Sequence, residues 1–389
     1  MPPDEPLRPD YHGRGIVNLM ASVLAACGGE PDYPTLSGVA DAELRGHSTV
    51  ALMVIDGLGH EFLSRRTDSF LYRHLRTRLT SVFPTTTASA ITTYTSALAP
   101  QQHGLTGWFT YLRELGSVAA VLPFRPRHGG PAYSAMGVDP SLIYDFVPVA
   151  DRLSHEPHVV SARPIADSDY SRISAGRARR HTYGRLAEYF DTVASLAQGS
   201  RGRRYVYAYW PELDSLAHQH GVASDAVEGH FRELDAGFKA LAQRLAGSGT
   251  LLVACADHGL LDTRPARTVR LIDHPALAAT LTLPLCGEPR VAYCYVHPSR
   301  RHQFRDYARG ELTECCDLVP AEQLLDEGYY GTGRAHPRLA DRIGDYALIA
   351  RDDWIIKDRI LGEKPFDQVG VHGGLSAEEL YVPLILIAT

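Results

Sequence analysis

The chain has 389 residues, 44% of them apolar and 22% charged, and a net charge of -6. That is the composition of a globular protein large enough to bury an extensive core. The lack of a basic excess argues against a DNA or RNA partner, and no stretch approaches the ~20 apolar residues of a membrane span.

Taken in chain order, the first element lies in "IVNLMASVLAAC". The neighbouring "LAACGG" (Leu24 to Gly29) imitates a lipoprotein cleavage box, but the residues before the apolar run hold three acids against two arginines. Ile16, Leu19, Met20, Val23 and Leu24 fall at helical spacing and Gly28-Gly29 supply a stop, so an amphipathic N-terminal helix is expected. "TVALMVI" (Thr49 to Ile55) reads as a strand running into Asp56-Gly57, with a helical pattern after it. "RLTSVF" runs into Pro84 and the cluster Thr85-Thr86-Thr87, which opens the helical stretch "TASAITTYTSAL". The basic cluster "GRARRHTYGR" (Gly176 to Arg185) reads as a solvated helix entry. "RYVYAYW" (Arg204 to Trp210) stops at Pro211; a helical segment with Asp214 and His218 follows, then a longer helix from Asp225. "TLLVACA" (Thr250 to Ala256) ends in Asp257-His258-Gly259. "GVHGGLSAEELYVPLILI" sets His372 before a short helix and a final apolar strand.

Apolar strands alternating with helices predict an α/β fold with a mostly parallel sheet and helices on both faces. Two stretches break the rhythm, at about 109–180 and 262–364. Both are expected to be insertions into a single domain spanning 1–389, forming a small cap over the substrate pocket. The six cysteines (Cys27, Cys255, Cys286, Cys294, Cys315 and Cys316) show no C-x-x-C pair, which suggests reduced thiols in a cytoplasmic protein.

In an open parallel sheet the carboxyl ends of neighbouring strands meet at one crevice. Asp56, the threonine cluster, Asp214 with His218, Asp257 with His258, and His372 would then be gathered together. Each alone has a plain structural reading. Asp56-Gly57 makes a turn, Asp214 caps a helix beside a surface histidine, Asp257-His258-Gly259 is a capping loop, and His372-Gly373-Gly374 is a tight turn. Jointly, three aspartates and three histidines make two ligand sets suited to Zn²⁺ or a similar divalent ion. An alcohol is a weak nucleophile that metal coordination can activate, and Thr87 opens a helix whose N–H groups would face an anion. Two ions ~4 Å apart can hold the attacking and leaving oxygens of a phosphoryl displacement. The chemistry such equipment suits is transfer of a phosphoryl or related group to Thr87, then to water.

"VIDGLG", "FPTTT" followed by "HGLTG", "DSLAHQHG", "ADHG" and "GVHGGLSAEELYVPLI" together resemble the alkaline phosphatase superfamily, in particular its nucleotide pyrophosphatase/phosphodiesterase branch. The resemblance runs from Asp56 almost to the C-terminus. It implies an alkaline-phosphatase-like fold and hydrolysis of phosphodiester or phosphoanhydride bonds in a small phosphorylated or nucleotide-like substrate. It also implies two divalent metal ions, usually Zn²⁺, and a phosphothreonine intermediate. Thr87 matches the nucleophile, with Pro100 and His103-Gly104 in the register of the "P-x-x-H-G" pattern; Thr85 and Thr86 remain alternatives. Asp56, Asp257 and His258 match the ligands of the ion that binds the nucleophile. Asp214, His218 and His372 match those of the second ion.

Two departures stand out. Ala88-Ser89-Ala90 follow Thr87 where the branch has "F-P-N", and Trp108 occupies the position of an asparagine that bonds a phosphoryl oxygen. Tryptophan offers one N–H and a flat face, able to hold a leaving group or simply to wall the pocket. Diester and monoester hydrolysis both stay open, as do phosphonate hydrolysis, a phosphomutase activity and a metal-free binding protein. Sulfate ester hydrolysis is disfavoured, because sulfatases of the superfamily need a cysteine or serine converted to formylglycine and Thr87 cannot be converted that way.

Overall fold

The computed structural model describes residues 7–198, 202–363 and 367–389. Its main sheet has seven strands in the order Leu75–Thr80, Tyr381–Ala388, Thr250–Cys255, Thr49–Ile55, Arg204–Trp210, Glu156–Ala162 and Arg179–Tyr183. Only Tyr381–Ala388 runs antiparallel to its neighbours. The central strands Thr49–Ile55 and Thr250–Cys255 are buried at every position, as continuous apolar runs covered on both faces must be. Helix Ile16–Ala26 packs on Thr87–Ser96, and Leu186–Gln198 packs on Asp225–Arg244. The pairing of Ile55 with Trp210, and of Val54 with Cys255, brings three strands to one level. Asp56, Pro211 and Asp257 therefore leave the sheet side by side.

The expected N-terminal helix forms over Ile16–Ala26, but it lacks a polar exposed face, because Ile16 to Leu24 are all buried. Its polar residues face the chain that wraps it. Asn18 Oδ1 accepts from the Gly15 N–H at 3.0 Å, and its amide donates to the carbonyls of Tyr11 and Pro34 at 3.1 and 2.8 Å. Ser22 Oγ accepts from the Leu36 N–H at 2.8 Å. Both polar side chains of the helix, Asn18 and Ser22, are partnered, which is what makes burial of that face tolerable.

A second seven-stranded sheet, antiparallel throughout, has the order Cys316–Pro320, Tyr346–Ala350, Val291–Cys294, Cys286–Glu288, Phe109–Leu112, Ser117–Ala120 and Arg125–Pro126. Both expected insertions contribute to it, joined where Gly287 pairs with Phe109. It equals the main sheet in strand number, which corrects the expectation of a small cap. The first insertion is also shorter than expected, since Glu156–Ala162 and Arg179–Tyr183 belong to the main sheet. Pro157 interrupts the first of these. The second is an edge strand with exposed arginines, and such a strand need not look apolar. Phe83, just before the threonines, packs against Tyr329 and Tyr330 with ring centroids 5.4 and 5.3 Å away. That contact ties the threonine loop to the second sheet's core. Among the described residues, no helix is long and apolar enough to cross a membrane.

Candidate active site

All seven candidate residues at the strand ends come together. Asp56 follows its strand directly and Asp257 after one residue, while Asp214 and His218 lie on helix Glu212–His220 just after Trp210. His372 precedes its strand instead. Because Tyr381–Ala388 runs antiparallel to the rest, its entrance lies where the other strands exit.

Burial and bonding separate the three threonines. Thr85 and Thr86 are buried and committed. Thr85 Oγ1 donates to the Gly374 carbonyl at 2.8 Å, and Thr86 Oγ1 donates to Glu288 Oε1 at 2.5 Å. Thr87 alone is partly exposed, at the first position of helix Thr87–Ser96, with its Oγ1 3.2 Å from His258 Nε2.

The histidines share one arrangement. His258 Nδ1 meets the Gly259 carbonyl at 3.1 Å, His218 Nδ1 that of Gly370 at 2.7 Å, and His372 Nδ1 that of Thr85 at 3.0 Å. A carbonyl only accepts, so each ring carries its proton on Nδ1 and turns the Nε2 lone pair to the site. Burial favours the neutral rings. It pushes His218 down to about 4, lowers His258, and lowers His372 well below the usual range, with His258 and His218 adding to the last. His258 and His372 stack with centroids 3.7 Å apart.

Each of two carboxylates has one oxygen pinned and the other aimed inward. The Tyr209 hydroxyl donates to Asp56 Oδ2; the N–H groups of Gly57 and His258 donate to Asp257 Oδ1 at 3.1 and 3.0 Å. Gly57, at φ +76°, lets this turn approach the Asp214 helix, where a Cβ would sit 3.1 Å from the Asp214 Cα. Asp56 Oδ1, Asp214 Oδ1 and Asp257 Oδ2 are buried with no hydrogen-bond partner among the described residues. Burial, then repulsion from neighbouring carboxylates, raises Asp56 and Asp214 well above the usual carboxylate range.

Two groups of donor atoms follow, Asp56 with Asp257 and His258, and Asp214 with His258 and His372, each lying within 4.8 Å of one another. His258 thus stands between the two groups rather than in the first alone. Its Nε2 is 3.4 Å from both Asp56 Oδ1 and Asp257 Oδ2. His218 joins through Asp214, Nε2 to Oδ2 3.3 Å. Three orphaned carboxylate oxygens facing imidazole lone pairs are costly to bury without a cation. The donor set fits divalent ions of the zinc type.

The sequence profile of the type I phosphodiesterase / nucleotide pyrophosphatase family matches residues 50–375. The chain belongs to that family. A comparison of the sequence with curated proteins gave no match. The fold is similar to that of murine ectonucleotide pyrophosphatase/phosphodiesterase 5, with a TM-score of 0.65 and 16% identity over 86% of this chain and 87% of that one. An inactive threonine-to-alanine form of the murine protein in complex with AMP gives 0.64 and 18% over 86% and 87%. The human protein gives 0.63 and 16% over 87% of each chain. At such identities the likeness speaks for the fold. Membership of the phosphodiesterase family makes the chain a phosphoric ester hydrolase.

Two supporting residues leave little trace in the sequence. Glu288 and Arg290 flank Pro289 at the tip of the hairpin Cys286–Glu288/Val291–Cys294. Glu288 Oε1 accepts from Thr86 Oγ1 and, at 2.7 Å, from the Trp108 N–H. Burial pushes its carboxyl up to about 7 against the lowering effect of those bonds. Arg290 forms a buried two-pronged pair with Glu379, at 3.1 and 2.9 Å, and Glu379 Oε1 accepts from the Gly374 N–H at 2.7 Å. The tip thus grips the threonine loop and the loop after His372. The only hint in the sequence is "LSAEEL", a capping box in which Ser376 and Glu379 exchange bonds at a helix start. Trp108 is partly exposed, with its backbone held by Glu288 and by the Val121 N–H at 3.0 Å.

Proposed function

We propose that this protein hydrolyses phosphodiester or phosphoanhydride bonds of small, nucleotide-like substrates through a covalent phosphothreonine on Thr87. Asp56, Thr87, Asp257 and His258 would hold one divalent ion and Asp214, His218 and His372 a second, zinc being the expected metal. The observation that carries this reading is the isolation of Thr87: of three adjacent hydroxyls it alone is partly exposed and faces His258 beside the orphaned carboxylate oxygens.

When bound, such ions supply Lewis acidity that polarises phosphoryl oxygens and makes a hydroxyl a better nucleophile. The rest falls to the chain. Thr87 Oγ1 bonds to phosphorus as the bond to the leaving oxygen breaks; water then cleaves the Thr87 phosphoester and restores the hydroxyl. The first N–H groups of helix Thr87–Ser96 have no intrahelical partner and would receive the anionic oxygens. Trp108 would supply a stacking face for a base in the leaving group. The inactive threonine-to-alanine form of the murine relative, held in complex with AMP, supports both a threonine nucleophile and a nucleotide substrate. Six unpaired, buried cysteines support a reducing, cytoplasmic setting. A partnership with nucleic acid polymers or membranes is not proposed.

Phosphomonoester hydrolysis by the same residues is the second reading, favoured by Trp108 where the branch carries asparagine. Rates on a diester and a monoester of the same phenol decide between them, and a strong monoester preference removes the phosphodiesterase reading. Thr87→Ala is expected to reduce turnover on the preferred ester by on the order of 10³-fold or more; a variant that keeps a tenth of the wild-type rate would end the nucleophile assignment.

A further inference from the structure

We propose that Glu288 is a positioning residue for the nucleophile, delivered by the second sheet to hold the N-terminus of the Thr87 helix open toward the substrate. This inference rests on the reading of Thr87 as nucleophile.

Thr86 is the N-cap of helix Thr87–Ser96, in extended conformation (φ -138°, ψ 150°), yet its side chain makes no capping bond. A threonine at an N-cap ordinarily accepts from the second or third N–H of its helix and so consumes a donor. Here the hydroxyl is turned away and donates to Glu288 Oε1 at 2.5 Å. Thr85 is likewise drawn off, to the Gly374 carbonyl. The first turn is left with donors for an incoming anion, next to the one threonine hydroxyl that faces the site.

The same Glu288 oxygen accepts from the Trp108 N–H at 2.7 Å, so a single atom fixes Trp108 relative to Thr87. Its own freedom is small. Glu288 is 9% exposed, and Gly373, at φ +121°, lies so close that a Cβ there would be 2.7 Å from the Glu288 Cβ. Without the acceptor, Thr86 Oγ1 is free to swing onto its own helix. That would spend a donor needed by the substrate and shift the neighbouring Thr87, while Trp108 N–H loses its partner.

Both bonds are accepted by Glu288, so a glutamine oxygen can replace them and an alanine cannot. The test is steady-state kinetics of the metal-loaded enzyme on a nitrophenyl diester. Glu288→Ala is expected to lower kcat about 10- to 100-fold with KM within about threefold, the usual cost of a displaced reacting group. Glu288→Gln should recover to within about fivefold of wild type. Thr86→Val removes the tether without leaving a hydroxyl to cap the helix, so it should lower kcat by less than Glu288→Ala does, and the double variant should be no worse than Glu288→Ala. Wild-type kcat in Glu288→Ala or in Thr86→Val overturns the proposal. So does a Glu288→Gln variant as impaired as the alanine, which would point to charge rather than acceptance. If Glu288→Ala does not fold, Thr86→Val alone decides. Turnover by Thr87→Ala would instead defeat the underlying reading.

Discussion

The two seven-stranded sheets divide the labour of the site in different ways. The main sheet brings the groups proposed to react or bind metal, and it does so through backbone topology: its strands end at one level, so whatever follows them is gathered without any dedicated contact. Among the described residues, the antiparallel sheet reaches that region through Glu288 and Arg290, on one hairpin tip, and each acts through specific side-chain bonds. Groups placed by topology should be lost only when they are themselves replaced. Groups that position others should fail by degrees, and a matching acceptor should rescue them.

The largest expected effect belongs to the topological side. Because His258 stands between both donor groups, His258→Ala should disturb both candidate ions, whereas His218→Ala leaves Asp56, Asp257 and His258 intact. We expect His258→Ala to lower bound metal per chain by more than His218→Ala does, read by elemental analysis, and turnover by at least ~10²-fold, the cost of losing one strong electrostatic group. His218→Ala should keep one ion. If His258→Ala retains a full complement of metal, the shared position of this ring is not functional and the two groups are independent.

Next comes a contrast within the antiparallel sheet. Arg290 and Glu379 are 1% and 0% exposed, so Arg290→Met leaves a buried carboxylate without its partner, at a cost of about 3–5 kcal/mol. Arg351 and Asp317, in the same sheet, are 46% and 52% exposed, and Arg351→Met should cost less than about 1 kcal/mol. Urea denaturation of both variants measures the difference. Equal losses would mean that the hairpin tip is no more than ordinary surface, and its grip on the loop after His372 would carry no weight.

How much was legible beforehand follows the same division. Thr49–Ile55, Arg204–Trp210 and Thr250–Cys255 announce themselves as apolar runs that stop at polar residues, and the crevice rule then assembles Asp56, Asp214, Asp257 and their histidines. The antiparallel sheet was underestimated because its strands come from two distant stretches, and a pairing such as Gly287 with Phe109 leaves no trace in local pattern. Glu288 was invisible for a related reason. An acid beside Pro289 reads as a turn residue, and its meaning comes from Thr86 and Trp108, both about 200 positions away. Asn18 marked the limit of periodicity alone. A polar residue in an apolar run gives no sign of its burial, which is possible because the carbonyls of Tyr11 and Pro34 take the place of water.

The smallest effect separates the two sheets at a single residue. Trp108 has its backbone fixed from the antiparallel side and belongs to neither donor group, so its side chain should touch only what the substrate carries beyond phosphorus. Trp108→Ala is therefore expected to raise KM for a nucleotide diester about fivefold, matching roughly 1 kcal/mol for an aromatic contact. A diester with a small alkyl leaving group should show no change, and kcat should hold for both. Equal losses on the two substrates would place Trp108 at the phosphoryl group itself, in the role of the asparagine it replaces. A loss in kcat alone would instead mean that its backbone, held by Glu288, had moved with the side chain.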